Sequence, residues 1–196
     1  MRVLAGICAA GSSTRMGFDK LAAPLPTATL VPRDTCLTRA CAASSHLDQC
    51  VILPAQDHPY CADRAALIGA TPALHVSGAF SDSLKALARA AHGYDGLLIQ
   101  LADMPLVTRA HVQALCAAFE SGAGHSIIRA VDVAGRQGHP VLFPAATFAA
   151  FAALEGDSGA QSIVARFGVT PCVLTGEAAT RDLDTPAQWA AFGAPA

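Results

Sequence analysis

Nearly uninterrupted apolar runs, each the length of one strand, alternate in this sequence with amphipathic stretches the length of short helices, and that alternation leaves few folds open. The strongest runs are residues 3–8 (VLAGIC) and 97–101 (LLIQL). A strand that is apolar along its whole length must be covered on both faces. Residues 50–53, 74–76, 126–131, 140–143 and 169–174 read as further strands. Between them, 36–45, 60–68, 83–91, 147–154 and 161–167 read as helices, with Leu84 and Leu87 spaced for one face of the third. Thr108 can cap a helix running to about residue 119. Thr185-Pro186 marks a last helix start, with threonine as N-cap and proline at the first helical position. The pattern predicts an α/β fold of three layers, a mostly parallel sheet with helices on both faces. A chain of 196 residues, 53% hydrophobic and 14% charged, can bury a full core, so intrinsic disorder is excluded and a single domain over 1–196 is expected. Residues 24–32 hold three prolines and little periodicity, and read as a loop.

Charge and cysteine usage narrow the function classes. The net charge is −2 and no basic stripe occurs, which argues against a nucleic-acid partner. Seven cysteines are scattered without a CxxC pair, as free thiols of a reducing compartment would be, and Cys8 reads as core. The seven histidines show no HxxxH or HExxH pattern and give no metal site. Met1-Arg2 ahead of an apolar run imitates a signal peptide, but the run is short and Ile7 keeps Cys8 out of a lipobox. No stretch is long enough to span a membrane. A cytoplasmic monomer is expected.

In open α/β sheets ligands bind outside the carboxyl ends of the strands. The first such position carries Ala9-Ala10-Gly11-Ser12-Ser13-Thr14-Arg15-Met16-Gly17-Phe18-Asp19-Lys20. Small residues let a backbone approach a ligand, and successive N–H groups can cradle phosphates. Arg15 and Lys20 add positive charge to the same loop, and Lys20 is one of only two lysines in the chain. The combination calls for a polyphosphate. It is neither a Walker loop, because Lys20 follows Gly11 and Gly17 at the wrong spacing, nor a GxGxxG fingerprint.

This loop resembles the signature of the MobA-like nucleotidyltransferase family, and four later motifs continue the resemblance in the family's order. They are Leu101-Ala102-Asp103-Met104-Pro105, Gly138-His139-Pro140-Val141-Leu142-Phe143, Gly156-Asp157-Ser158-Gly159-Ala160 and Asp182-Leu183-Asp184-Thr185-Pro186. The double alanine before Gly11, with the GHP and GDxGA motifs, resembles the molybdenum cofactor cytidylyltransferase branch. Three features depart from the pattern. The segment after the lysine, residues 24–36, is longer and lacks glycine; Gln161 stands where relatives often carry a basic residue; residues 78–84 match the family's Gly…Ser-Leu helix start only loosely.

The resemblance implies a Rossmann-like nucleotidyltransferase fold and transfer of CMP from CTP to the phosphate of molybdopterin, with pyrophosphate leaving. It implies Arg15, Lys20 and Asp103 as catalytic residues, and Ala9, Ala10, Gly11, Arg15, Lys20 and Ser83 at the nucleotide. It also implies Mg²⁺ held by Asp103 and by one of Asp182 and Asp184, with Asp184 preferred. A client molybdoenzyme is a further expected partner. Asp103 follows an apolar strand, which suits a metal ligand better than a surface cap; Ser83 suits a nucleotide contact and a helix start equally; His139 suits a packed loop residue better than a base. The attacking phosphate is already anionic, so no covalent nucleophile is needed, in keeping with the lack of Ser/His/Asp and Cys/His signatures. Guanylyl transfer, or transfer to a sugar or polyol phosphate, stays open. A non-catalytic carrier of molybdopterin is disfavoured, because a carrier has no use for a metal-triphosphate site.

Overall fold

The computed structural model describes residues 1–26, 33–157 and 159–192. Seven strands form one sheet: β1 (Val3–Cys8), β2 (Asp48–Pro54), β3 (Ala73–Val76), β4 (Gly96–Leu101), β5 (Ile127–Val131), β6 (Gln137–Pro144) and β7 (Val169–Val173). Their spatial order is β3-β2-β1-β4-β6-β5-β7. β1, β2, β3 and β4 run parallel, as do β5 and β7, and β6 is antiparallel to both β4 and β5. The sheet is therefore mostly parallel and the α/β reading holds. Among the described residues six α-helices accompany it: α1 (Cys36–Ala43), α2 (Cys61–Ile68), α3 (Phe80–Ala90), α4 (Arg109–Ser121), α5 (Gln161–Phe167) and α6 (Pro186–Phe192). No helix among the described residues is long and apolar enough to cross a membrane.

Alternation along the central strands builds the three layers. Leu4, Ile52, Leu97 and Ile99 pack with Leu84 and Leu87 of α3. On the opposite face Ala5 and Leu98 pack with Val112, Leu115 and Phe119 of α4, while Ile7, Val51 and Leu53 pack with Leu37 of α1 and Ile68 of α2. Both faces of β1 and β4 are thus covered, as their uninterrupted apolar runs require.

Three element boundaries differ from the expectations in instructive ways. α3 starts at Phe80, three residues earlier than the leucine spacing gives, because Asp82 caps it from inside: its carboxylate accepts the Ala79 N–H at 3.1 Å. β6 starts at Gln137 and not at Pro140. Its pairing with β5 shifts register between Arg129 and Val131, so Gly138, His139 and Pro140 occupy an irregularity, where a proline is tolerated. The stretch 147–154, expected as an ordinary helix, is a 3-10 helix over Ala145–Ala153 whose Thr147 hydroxyl donates back to the Pro144 carbonyl at 2.7 Å.

β1 lies between β2 on one side and β4 on the other, so the chain reverses its order there. That reversal opens a crevice at the carboxyl ends of β1 and β4.

Candidate active site

A cavity of about 720 Å³ fills that crevice. The loop after β1 supplies Ala10, Gly11, Ser12 and Arg15; the end of β4 supplies Asp103; Phe80 and Ser83 come from the first turns of α3; Asp157 and Asp184 close the rim. With the end of β2, which brings Pro54, Ala55 and His58, six separate segments meet there. The Ala102 N–H bonds the Cys8 carbonyl at 3.1 Å, and the Leu183 N–H bonds the Asp103 carbonyl at 3.1 Å. These two bonds pin β1, the β4 turn and the 182–184 segment to one another.

At the centre stands Lys20, only 8% exposed. Its Nζ donates to Asp103 Oδ2 at 2.7 Å and also to Asp184 Oδ1. Arg15, with 74% of its side chain exposed, reaches Asp184 Oδ2 from the solvent side at 3.1 Å. Burial alone would lower the Lys20 pKa, but Asp103 and then Asp184 outweigh it and raise it above the ordinary lysine value. Burial would raise Asp184, but Lys20 and then Arg15 hold its carboxyl below the usual range. Asp182 shifts upward, through burial and the charges of Asp184 and Asp103. It lies off the cavity and accepts from Gln188 Nε2 at 3.3 Å. Of the two aspartates, Asp184 is therefore the one that faces the crevice.

The site residues expected from sequence are brought together with one correction. Arg15, Lys20, Asp103, Asp184, Ala10, Gly11 and Ser83 all line the cavity. Ala9 does not: it is fully buried, its N–H goes to the Ile52 carbonyl at 2.9 Å and its carbonyl accepts from Arg64 at 2.6 Å. Ser83 does not begin α3, which starts at Phe80; it lies in the first turns of that helix and lines the cavity. His139 stands apart in the β6 irregularity. Its Nδ1 is buried without a partner, and burial, helped by the Arg129 charge, pushes its pKa down to about 4. The Cys8 thiol beside the cavity is pushed up to about 12, first by burial and then by the Asp103 charge, so it offers no thiolate nucleophile. The 24–36 segment lies partly outside the described residues, as does Ser158 of the GDxGA turn.

Sequence reasoning missed three residues that shape the site. Asp157 accepts the Phe80 N–H at 2.8 Å, and the Gly156 carbonyl accepts the Ser81 N–H at 3.0 Å, so the GDxGA turn braces the start of α3. Arg64 and Asp19 form a buried pair under the β1 loop at 2.7 Å. A signal for Arg64 was present: Cys61, Arg64 and Ile68 share the buried stripe of α2, and an arginine on an apolar stripe needs a reason.

A divalent cation fits this donor set. Asp103 Oδ1 is buried without a partner, which is the unsatisfied oxygen that a cation or its water shell would use. Among the described residues no three His, Cys, Asp or Glu side chains cluster to hold a metal alone. Two carboxylates with the rest of the shell from phosphate and water is the mode that Mg²⁺ favours.

A model of the MobA-like NTP transferase domain matches residues 5–170 of the chain. The sequence has no match among curated proteins. Rv0371c of Mycobacterium tuberculosis resembles the chain in structure with a TM-score of 0.76 at 24% identity, covering 98% of this chain and 97% of that one. Its complex with manganese aligns with a TM-score of 0.72 at 23% identity, covering 98% of both chains. CMP:2-keto-3-deoxy-manno-octonic acid synthetase complexed with CTP aligns with a TM-score of 0.71 at 11% identity, covering 98% and 97%.

Proposed function

From the premise that the chain belongs to the MobA-like NTP transferase family, we propose that this nucleotidyltransferase moves CMP from CTP to the phosphate of molybdopterin. The observation that carries the reading is the Lys20 ammonium shared by Asp103 and Asp184, beside a loop of small residues, in a cavity wide enough for a nucleotide. In the reaction an acceptor phosphate oxygen attacks the α-phosphorus of CTP. The bond from the α-phosphorus to its bridging oxygen breaks, and pyrophosphate leaves with that electron pair. The attacking group is an anion, so the site needs alignment and charge neutralisation and no base.

Lys20 stays protonated at every physiological pH and follows charge onto the leaving pyrophosphate. Arg15 is free enough on its outer side to swing from Asp184 onto the triphosphate. The N–H groups near Ala10 and Gly11 seat the phosphates, and Ser83 lies at the nucleoside end. Asp103 and Asp184 would hold Mg²⁺, which when bound neutralises phosphate charge and lowers the cost of forming the leaving anion. The manganese complex of Rv0371c supports a divalent-cation requirement. Ala10 and the GHP and GDxGA motifs support cytidine over guanosine. The likeness to a CMP-sugar-acid synthetase complexed with CTP supports a second acceptor class, a sugar acid or sugar phosphate.

Pyrophosphate release tests the reading. With CTP, Mg²⁺ and molybdopterin the wild type should turn over, and Asp103→Ala should lose at least about a hundredfold in kcat while melting cooperatively, as removal of electrostatic stabilisation of the developing charge predicts. Near-normal release by Asp103→Ala would remove the metal assignment. Turnover with a sugar phosphate or sugar acid and none with molybdopterin would move the acceptor to the second class.

A further inference from the structure

We infer that Arg64 is the positioning residue that gives the β1 loop its phosphate-binding shape. The inference rests on the proposal that this loop holds a triphosphate. The Arg64 side chain is completely buried beneath the loop. One end of its fork, Nη1, donates to the carbonyls of Ala9 at 2.6 Å and Gly11 at 2.8 Å. The other side, Nε and Nη2, grips the Asp19 carboxylate at 3.0 and 2.7 Å. A single guanidinium therefore holds the first residues of the loop and the residue just before Lys20.

The geometry of the peptide bond turns this grip into a ligand site. A trans peptide points its N–H opposite to its C=O. The Ala9 carbonyl shares a peptide with the Ala10 N–H, and the Gly11 carbonyl shares one with the Ser12 N–H. With both carbonyls drawn onto the buried guanidinium, both N–H groups face away from it, towards the cavity that Ala10, Gly11 and Ser12 line. Among the described residues no acceptor takes either N–H. Alternate amides aimed at one side make an anion-binding concavity, and here the side chain of a neighbouring helix fixes its orientation. Asp19 neutralises the buried guanidinium and, through its Oδ1, accepts the Leu21 N–H at 3.0 Å, which sets the backbone on either side of Lys20. Lysine at position 64 could serve the carbonyls or Asp19 but not both, because it lacks the planar fork.

The test uses inorganic tripolyphosphate and CTP, each with Mn²⁺, measured by calorimetry on the full chain. Trp189 is a built-in reporter, because its ring meets Phe18 of the loop edge-on at 5.2 Å between centroids. Arg64→Lys should melt cooperatively, lose about tenfold or more in affinity for both ligands, the equivalent of roughly 1.4 kcal/mol, and shift the Trp189 emission. A folded Arg64→Lys that binds tripolyphosphate within about twofold of wild type would overturn the inference, since an arginine acting only as a core ion pair would change the melt and not the affinity. If Arg64→Lys does not fold, amide resonances of the wild type decide: Ala10 and Ser12 N–H should shift as tripolyphosphate saturates, and silent amides at saturation would overturn the role. A wild type that binds tripolyphosphate yet releases no pyrophosphate from CTP would refute the proposed reaction and leave Arg64 in place. A wild type that turns over, with unchanged affinity in Arg64→Lys, would do the reverse. A wild type that binds no tripolyphosphate would overturn both.

Discussion

At the residue scale, the site is governed by one cation shared between two anions. Lys20 neutralises Asp103 and Asp184, which would otherwise face one crevice unpaired. Lys20→Met should cost roughly 2 kcal/mol at neutral pH, less than a fully buried pair because Asp184 is about a third exposed. Asp184 sits below its ordinary range in the folded chain, so its pairing stabilises above the unfolded value and that benefit fades as pH falls through the lowered one. Lys20 is raised, so its contribution is complete below the ordinary lysine value and is lost only as pH rises through the raised one. The deficit of Lys20→Met against wild type should therefore be largest near neutrality and shrink as pH falls below the ordinary aspartate value, read from melts across that range. A pH-independent deficit would mean that packing of the stem and not charge holds Lys20 there. Lys20→Arg should not restore turnover, because a planar fork cannot occupy the place of a compact ammonium between two carboxylates. These four residues, Arg15, Lys20, Asp103 and Asp184, were legible in the sequence because each stands in a motif at a strand or helix end. Of the Arg64–Asp19 pair only the arginine on the apolar stripe of α2 was visible; its partner was not, because the ion pair spans 45 residues, and the carbonyls of Ala9 and Gly11 that Arg64 also holds leave no side-chain pattern.

At the scale of elements, the backbone contact beside the β5–β6 irregularity explains why the GHP motif needs its glycine. An added Cβ on Gly138 would land on the Ala179 carbonyl oxygen, because the 175–181 segment crosses there at backbone contact. The His139 N–H donates to that same oxygen at 2.9 Å. Gly138→Ala must push two backbones apart and should cost about 3 kcal/mol or more, a loss reserved for such steric mechanisms. In a melt that is a fall of roughly 6–12 °C for a chain of this size. His139, with its pKa pushed down to about 4, is neutral in the fold, while the unfolded chain binds a proton below the ordinary histidine value. Stability should thus fall as pH drops from about 6.5 towards 4, by on the order of 3 kcal/mol in full. His139→Gln should flatten that window in urea melts at pH 7 and 4.5; an unchanged slope would place the acid sensitivity elsewhere. The strand itself was legible from its apolar residues, but its start was not. A proline inside a run argues against a strand, and only the register shift against β5 shows how this one is accommodated.

At the scale of the whole molecule, strand existence was written in the sequence and strand direction was not. An apolar run such as that of β6 looks the same parallel or antiparallel, and the order β3-β2-β1-β4-β6-β5-β7 depends on crossovers between distant segments. The reversal of order beside β1 is nonetheless what gathers six remote segments around one cavity. That convergence makes ligand binding a global event, because a nucleotide spanning the cavity ties the β1 loop, the β4 turn, α3 and the 182–184 segment together. Anything that binds only the folded chain raises its stability, by about 2.7 kcal/mol at 100 times its dissociation constant. For a chain this long that is an increase of about 5–11 °C in Tm. CTP with Mg²⁺ or Mn²⁺ should produce it, and chelation of the metal should remove most of it, because Lys20 and Arg15 alone do not balance a triphosphate beside two aspartates. GTP should shift the midpoint less. Ala10 lines the cavity, and a side chain at this position leaves less space beside the backbone than glycine would, space that a purine needs more than a pyrimidine does. A tenfold preference would appear as about 1.4 kcal/mol between the two nucleotides at equal concentration. Ala10→Gly should shrink that gap by improving GTP while leaving CTP nearly unchanged. Equal shifts with CTP and GTP in the wild type would remove the cytidine assignment and leave the nucleotidyl transfer; a gap that survives Ala10→Gly intact would place base selection on α3 and the 76–79 turn instead.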